Sequence, residues 1–236
     1  YRADKEAAKS SDYVIAVMGI NKSIEKEGKD RTSLNLPEDQ INYLKEMYAI
    51  NKNMIVVLVA GSSLAINWMD ENVPAIIDAW YPGESGGTAI ADVLFGDYNP
   101  AGRLPFTFYK SVDDLPTMDD YEVSNGRTYM YFQGDVLYPF GYGLSYTQFD
   151  YSDLIIKEND EKIIISATIK NTGNYNGDEV VQLYFKAPES VTESPIKKLI
   201  GFNRTIIPTG KSKQVQFQVS KKELQFWDVN KKQWIF

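Results

Sequence analysis

The chain has 236 residues, 43% of them hydrophobic and 24% charged, the balance of a soluble globular protein with room for one large domain or two ordinary ones. Its formal net charge is -7, with lysines and arginines scattered among the acids, so no contiguous basic stripe offers itself to nucleic acid or to an anionic membrane surface. There is no histidine and no cysteine, which excludes imidazole catalysis, thiol nucleophiles, disulfides and Cys- or His-based zinc sites, and leaves only hard cations such as Ca²⁺ or Mg²⁺ as conceivable metals.

Proton transfer at neutral pH therefore falls to a carboxylate. The longest apolar run, Met54 to Ala60, is far shorter than the roughly 20 residues a membrane-spanning helix requires. No signal peptide is visible, and a first residue of Tyr1 rather than Met reads as a processed or trimmed chain.

From Ser11 to about Phe108 short apolar runs alternate with helical patterns, predicting parallel strands joined by crossover helices. Residues Tyr13 to Met18 read as a buried strand, and Gly19 opens a polar loop. Pro37, then Glu38 and Asp39, then Ile41, Leu44 and Tyr48 at helical spacing predict an amphipathic helix. Met54 to Ala60 is the second strand, Gly61-Ser62-Ser63 caps a short helix over Leu64 to Asp70, and Ala75 to Trp80 is the third strand. Gly86-Gly87-Thr88 begins a helix that runs through Phe95 and closes at Gly96. Arg103 to Phe108 is expected to be an edge strand, because Pro105 cannot donate to a central ladder.

From Lys110 to about Thr147 periodicity is lost while Gly, Pro, Asp and Tyr accumulate, and the many aromatics predict an ordered connector. Period-two runs then follow at Lys162 to Lys170, Glu179 to Lys186, Lys197 to Thr205 and Lys213 to Val219. Turns are expected at Asn174-Tyr175-Asn176-Gly177 and Pro208-Thr209-Gly210, and a hairpin at Val229 to Lys232 between Trp227 and Trp234. An antiparallel β-sandwich is the expected outcome, one or two strands short of the usual seven at Phe236. The expected division is an α/β domain over 1–110 that is truncated at its start, an ordered connector over 111–147 and a β-sandwich over 148–236 that is truncated at its end.

The chemistry-bearing segment is Glu25-Lys26-Glu27-Gly28-Lys29-Asp30-Arg31, after the carboxyl end of the first strand, where ligands approach open α/β sheets. Two readings stand side by side: a solvated, self-paired charge cluster, or a general acid presented to a sugar, with Asp30 and Arg31 fixing the loop or contacting hydroxyls. The Gly83-Glu84-Ser85-Gly86-Gly87 loop lacks the lysine and the spacing of a phosphate cradle, so its glycines are read as a tight turn. Trp68, Trp80 and Tyr81 are either core aromatics or platforms for a sugar ring.

The acidic loop with Leu34-Asn35-Leu36-Pro37, the run Ala79-Trp80-Tyr81-Pro82-Gly83 and the stretch Gly86 to Pro105 together resemble glycoside hydrolase family 3. Tyr138-Pro139-Phe140-Gly141-Tyr142-Gly143-Leu144-Ser145-Tyr146 is similar to that family's connector into a fibronectin type III-like domain. The resemblance covers nearly the whole chain. It implies an α/β sandwich with a mainly parallel sheet, followed by the β-sandwich.

It further implies part of a retaining, exo-acting β-glucosidase or β-xylosidase, with no cofactor, acting on oligosaccharides or aryl β-glycosides. Glu27 takes the position of the general acid/base, Glu25 is the reserve candidate, and Asp30 and Arg31 fall among substrate contacts. In the family the nucleophilic aspartate sits on an N-terminal (β/α)8 barrel, so this chain by itself is expected to hydrolyse nothing. The Glu-x-Glu-Gly-x-Asp-Arg form resembles xylosidase-like members, and the family resemblance points to a periplasmic or secreted setting. The competing readings are a carbohydrate-binding or scaffold protein of the same architecture, and a nucleotide-binding doubly wound protein.

Overall fold

The computed structural model describes residues 2–187, 194–228 and 231–235, which fall into two compact units. The first comprises residues 1–94, 106–119 and 133–139, and the second comprises 95–105, 120–132 and 140–236.

The first unit is built on a three-stranded sheet in the order β1 (Val14–Gly19), β2 (Met54–Val59), β3 (Ala75–Asp78), all parallel. Helix α1 (Arg2–Ser10) precedes β1, α2 (Glu38–Ile50) links β1 to β2, α3 (Asn67–Asn72) links β2 to β3, and α4 (Gly86–Phe95) follows. Alternation along the strands puts Val14, Ala16 and Met18 on the same face as Met54, Val56 and Leu58. That face carries the core, closed by Ala8 of α1, Leu44 and Met47 of α2, and Met69 of α3 with Val73 at its end.

Pro37 stands just before α2 in an extended conformation, and Glu38 and Asp39 fill the helix's first turn, where its dipole favours acids. The helix ends where Asn51 turns extended, and the Asn51 side-chain amide donates to the carbonyls of Ala8 (3.0 Å) and Ser11 (2.7 Å), tying the end of α1 to the end of α2. Helix α4 spans the segment expected for it, and Gly96 follows with φ +83, the left-handed conformation of a helix-ending glycine.

Three expectations are corrected. The short helix begins at Asn67, not Leu64; residues 64–66 are buried without helical structure, and the Ala65 N–H bonds the Leu34 carbonyl at 2.9 Å. The third strand stops at Asp78, since Trp80 adopts φ 54, which no strand accommodates. Residues Arg103 to Phe108 form no strand: only Phe108 bridges to Tyr138, while the rings of Phe106 and Phe108 stack on each other (5.5 Å between centroids) and meet Trp80 edge-on. Backbone pairing survives only on either side of Pro105, where Leu104 bonds Tyr142 and Gly141 (2.8 and 2.7 Å) and Phe108 bonds Tyr138 (2.9 Å).

The second unit pairs a three-stranded antiparallel sheet, β4 (Phe149–Glu158), β5 (Lys162–Asn171) and β8 (Ser212–Ser220), with a two-stranded one, β6 (Gly177–Phe185) and β7 (Lys198–Ile207). Ile169, Val181, Ile207 and Val215, one from each of β5 to β8, form a core between the sheets. Asn171 is fully buried at its edge and fully used: Oδ1 accepts from the Thr147 hydroxyl (2.6 Å) and the Gly173 N–H (3.1 Å), and Nδ2 donates to the carbonyls of Tyr175 (2.7 Å) and Ile207 (2.9 Å). One side chain therefore shapes the Asn174–Gly177 turn.

Within this unit the short helix α5 (Thr128–Tyr131) places Tyr129 on Phe140 (4.2 Å), and Tyr184 meets both rings edge-on, so these aromatics form one cluster. The hairpin of β9 (Phe226–Asp228) and β10 (Gln233–Ile235) sets Trp227 directly opposite Trp234, with rings 5.7 Å apart. Val229 and Asn230 of its expected turn lie outside the described residues.

Candidate active site at the carboxyl edge of the parallel sheet

Strand β1 ends at Gly19, where a Cβ would lie 1.9 Å from the Val59 carbonyl oxygen, so only glycine fits beside β2. The Gln40 side chain pins that end to α2: its carbonyl accepts from the Gly19 N–H (2.9 Å) and its amide donates to the Gly19 carbonyl (2.8 Å). Asn21 then starts the loop with an Asx turn, its side chain accepting from the Ser23 N–H at 2.9 Å.

The acidic segment folds into a tight two-residue turn. Lys26 and Lys29 bond each other through both backbone pairs (2.8 and 3.3 Å), with Glu27 and Gly28 at the tip. Gly28 has φ +72 and Glu27 does not leave the negative-φ region, the requirement of a type II turn. Glu27 is exposed and has no hydrogen-bond or ion-pair partner among the described residues, and Asp30 is likewise exposed and unpartnered.

Glu25 is differently occupied. Its carboxylate accepts from Arg31 Nε at 2.5 Å and from the Ser62 hydroxyl at 2.5 Å. Arg31 Nη2 in turn donates to Ser62 Oγ and to the Ser63 carbonyl, both at 2.8 Å, and the Arg31 side chain is only 8% exposed. Glu25, Arg31 and the loop after β2 thus form a closed clamp at the base of the Glu27 turn. Of the two sequence readings, loop fixation describes Arg31; a self-paired cluster describes Glu25 and Arg31 but not Glu27 and Asp30.

Ser62 and Ser63 were expected as helix caps, and the structure assigns them to this clamp instead. Nothing local to them in sequence announces a partner 31 residues away. Asp78, at the carboxyl end of β3, was not singled out either. Its Oδ1 accepts from the Trp80 N–H at 3.3 Å, while Oδ2 is buried without a partner among the described residues. Burial pushes the Asp78 carboxyl up to about 6, opposed by the Trp80 hydrogen bond. An acid closing an apolar strand was the available signal.

Trp68 packs in the core against Tyr48, with Lys45 over its ring, and Trp80 packs on Phe106 and Phe108. Tyr81 is half-exposed, its ring set against Gly61, where a Cβ would meet it at 2.4 Å. In the Gly83–Gly87 loop the Gly86 N–H bonds the Gly83 carbonyl at 3.0 Å, and a Cβ on Gly86 would strike Pro82 at 2.3 Å: the glycines make a tight turn.

A parallel α/β unit with a loop-borne carboxylate at the carboxyl edge of its sheet, joined in one chain to an antiparallel sandwich, defines an α/β domain with a fibronectin type III-like companion. Sequence comparison agrees: the glycosyl hydrolase family 3 C-terminal domain matches residues 1–146, and a fibronectin type III-like domain matches 179–236. The chain belongs to glycosyl hydrolase family 3.

Relatives include a xylan 1,4-beta-xylosidase of Xylanibacter ruminicola, 42% identical over 93% of this chain and 27% of that protein. A periplasmic beta-glucosidase of Salmonella typhimurium is 37% identical over 94% of this chain and 31% of its own length. The crystal structure of the Kluyveromyces marxianus beta-glucosidase in complex with glucose superimposes with a TM-score of 0.91 at 34% identity, covering 99% of this chain and 30% of that one. The chain thus spans less than a third of the length of these relatives. Among the described residues no helix is long and apolar enough to cross a membrane.

Proposed function

We propose that the chain is the acid/base-bearing portion of a retaining, exo-acting β-glycosidase that removes terminal β-D-glucosyl or β-D-xylosyl residues, and that Glu27 is its general acid/base. The observation that carries the assignment is the contrast between the two glutamates: Glu25 is committed to Arg31 and Ser62, while Glu27 stands unpartnered at the tip of a tight turn. An acid/base must exchange its proton with a leaving oxygen and then with water, so its lone pairs must be open to substrate. The clamp beneath supplies the fixed base that such a side chain needs.

In a retaining mechanism the second carboxylate attacks the anomeric carbon from about 5–5.5 Å away and forms a glycosyl-enzyme. Glu27 protonates the departing oxygen in the first step. In the second it takes a proton from the attacking water. The nucleophile is assigned to an N-terminal (β/α)8 barrel of the longer protein, so the 236-residue chain alone is inactive. The substrate class follows the relatives, which are named as both xylosidase and glucosidases; a periplasmic or secreted setting follows the periplasmic relative.

The test is hydrolysis of aryl β-glucoside and aryl β-xyloside by this chain and by the protein extended through an upstream barrel, each with its Glu27→Gln counterpart. Activity confined to the extended protein, lost with Glu27→Gln and partly restored by azide as a glycosyl azide product, supports the assignment. Full activity in the extended Glu27→Gln protein overturns it.

A further inference from the structure

Asn-Gly pairs occur at Asn125-Gly126 and at Asn176-Gly177, both in the second unit. Such a pair can convert itself: the backbone nitrogen after the asparagine attacks the side-chain amide carbon, and glycine, with no Cβ in the way, lets it approach. The attack needs a glycine N–H open to water and a backbone free to draw that nitrogen toward the side chain. The structure separates the two pairs on both counts.

Asn176 and Gly177 are held in place. The Asn176 side-chain carbonyl accepts from the Thr209 N–H at 2.9 Å, and its backbone carbonyl accepts from the Asn99 side chain at 2.9 Å. Gly177 is buried as the first residue of β6, in register with Ile207, and a Cβ there would lie 2.7 Å from Asn99 Nδ2 and 2.9 Å from the Thr147 methyl. Packing that close resists a closing ring. Asn125, by contrast, is exposed in the turn before α5, and Gly126 has φ +85 with open space around its α-carbon. Among the described residues the Gly126 N–H has no acceptor and the Asn125 side-chain carbonyl no donor. The Asn125 backbone N–H bonds the Glu122 carbonyl at 3.1 Å, and Nδ2 donates to the Asp120 carboxylate at 2.9 Å.

We propose that Asn125 is a site of spontaneous deamidation, with water as the co-reactant, and that the conversion loosens the turn before α5. Base from the solvent takes the Gly126 N–H proton, and the nitrogen bonds to Asn125 Cγ. The Cγ–Nδ2 bond then breaks, and Nδ2 takes up a proton and leaves as ammonia, closing a cyclic imide. Water opens the imide at either carbonyl: cleaving the new N–C bond leaves aspartate at this position, and cleaving the original peptide bond leaves isoaspartate. Either product carries one more negative charge.

That charge falls where the turn is anchored. The amide that donated to Asp120 gives way to a carboxylate facing it, and the Asn125 bond is the first reason that the Asp120 carboxyl lies below its ordinary range. The Asp120 carboxylate also accepts from the Glu122 N–H at 2.9 Å, and its carbonyl accepts from Arg127 Nη2 at 2.6 Å. Repulsion at Asp120 therefore reaches both ends of the turn. The inference is independent of the glycosidase reading.

Peptide mapping by mass spectrometry follows the conversion at both asparagines against time, in mildly alkaline buffer and in urea, for this chain and for the protein extended upstream. In urea the two sites should convert at similar rates. In the folded proteins Asn125 should stay within about threefold of its urea rate while Asn176 slows by about 100-fold or more, because reaction there waits for its strand to open. Asn125→Gln, whose longer side chain does not close the same ring, should abolish the conversion. Asn125→Asp supplies the product's charge directly and should speed amide exchange at Glu122 and Arg127 by about tenfold, the latter being bonded to the Val123 carbonyl at 3.0 Å. Slowing of Asn125 to the level of Asn176 in either folded protein overturns the site. Unchanged exchange at Glu122 and Arg127 in Asn125→Asp overturns its effect on the turn.

Discussion

The Arg31 guanidinium meets the Glu25 carboxylate at 2.5 Å, and the two side chains are 8% and 23% exposed. Removing the arginine leaves a carboxylate that is mostly out of water with only Ser62 to stabilise it, and opens the base of the Glu27 turn. Arg31→Ala is expected to lower the stability of the first unit by about 2 to 3 kcal/mol, read from the urea midpoint. In the extended protein kcat should fall with it, because the turn no longer holds one geometry.

Glu27→Gln should behave in the opposite manner. The side chain is exposed and touches nothing that holds the fold, so the stability change stays within about 0.5 kcal/mol. A catalytic loss at unchanged melting temperature is the pattern expected of a residue kept for chemistry. An equal loss of both would assign Glu27 a structural role.

Asp78 makes the stability of the first unit depend on pH in a defined direction. Its carboxyl is raised from 3.8 to about 6 by burial, so the folded state binds the proton more tightly than the unfolded chain does. The stabilisation is complete below about pH 4 and is lost as pH rises through about 6. Asp78→Asn keeps the acceptor for the Trp80 N–H and removes the charge. After discounting for solvent screening, it should stabilise the unit by about 1 to 2 kcal/mol at pH 7 and have little effect at pH 4, measured by denaturation at the two pH values.

In the second unit Arg103 donates to Glu179 at 2.8 Å with both side chains nearly buried, and the Tyr151 hydroxyl donates to the other carboxylate oxygen at 2.7 Å. Burial, then the bond to Glu179, hold the Tyr151 hydroxyl well above the usual tyrosine range. Glu179→Ala strands a guanidinium and should cost about 3 kcal/mol. Tyr151→Phe, which leaves the ion pair intact, should cost about 1 kcal/mol. Amide hydrogen exchange along β5 and β8 follows the unfolding of this unit separately from the first.

What proved legible in the sequence was what neighbouring residues settle among themselves. The run Met54 to Ala60 could only be a buried strand, and β2 ends one residue earlier. Pro37 with Glu38 and Asp39 marked the start of α2, and Gly96 the end of α4. The period-two runs of the second unit became β5 to β8 within a residue or two, because alternation and turn chemistry are local properties. The family resemblance was legible as well, carried by the loop from Glu25 to Arg31 and the motifs that follow it.

Tertiary structure decided which of that loop's charges are free. Glu25 and Glu27 differ by two positions and nothing in their spacing separates them; the difference comes from Ser62 and Ser63, brought from the end of the next strand to Arg31. It also set the rings of Phe106 and Phe108 on Trp80, and left Asp78 half-buried with one oxygen unmatched among the described residues. These outcomes depend on contacts tens of residues apart, whose energies exist only once the sheet is assembled. Periodicity therefore determined the elements of this protein, and the packing of loops at the carboxyl edge of its sheet determined which side chains are left free to act.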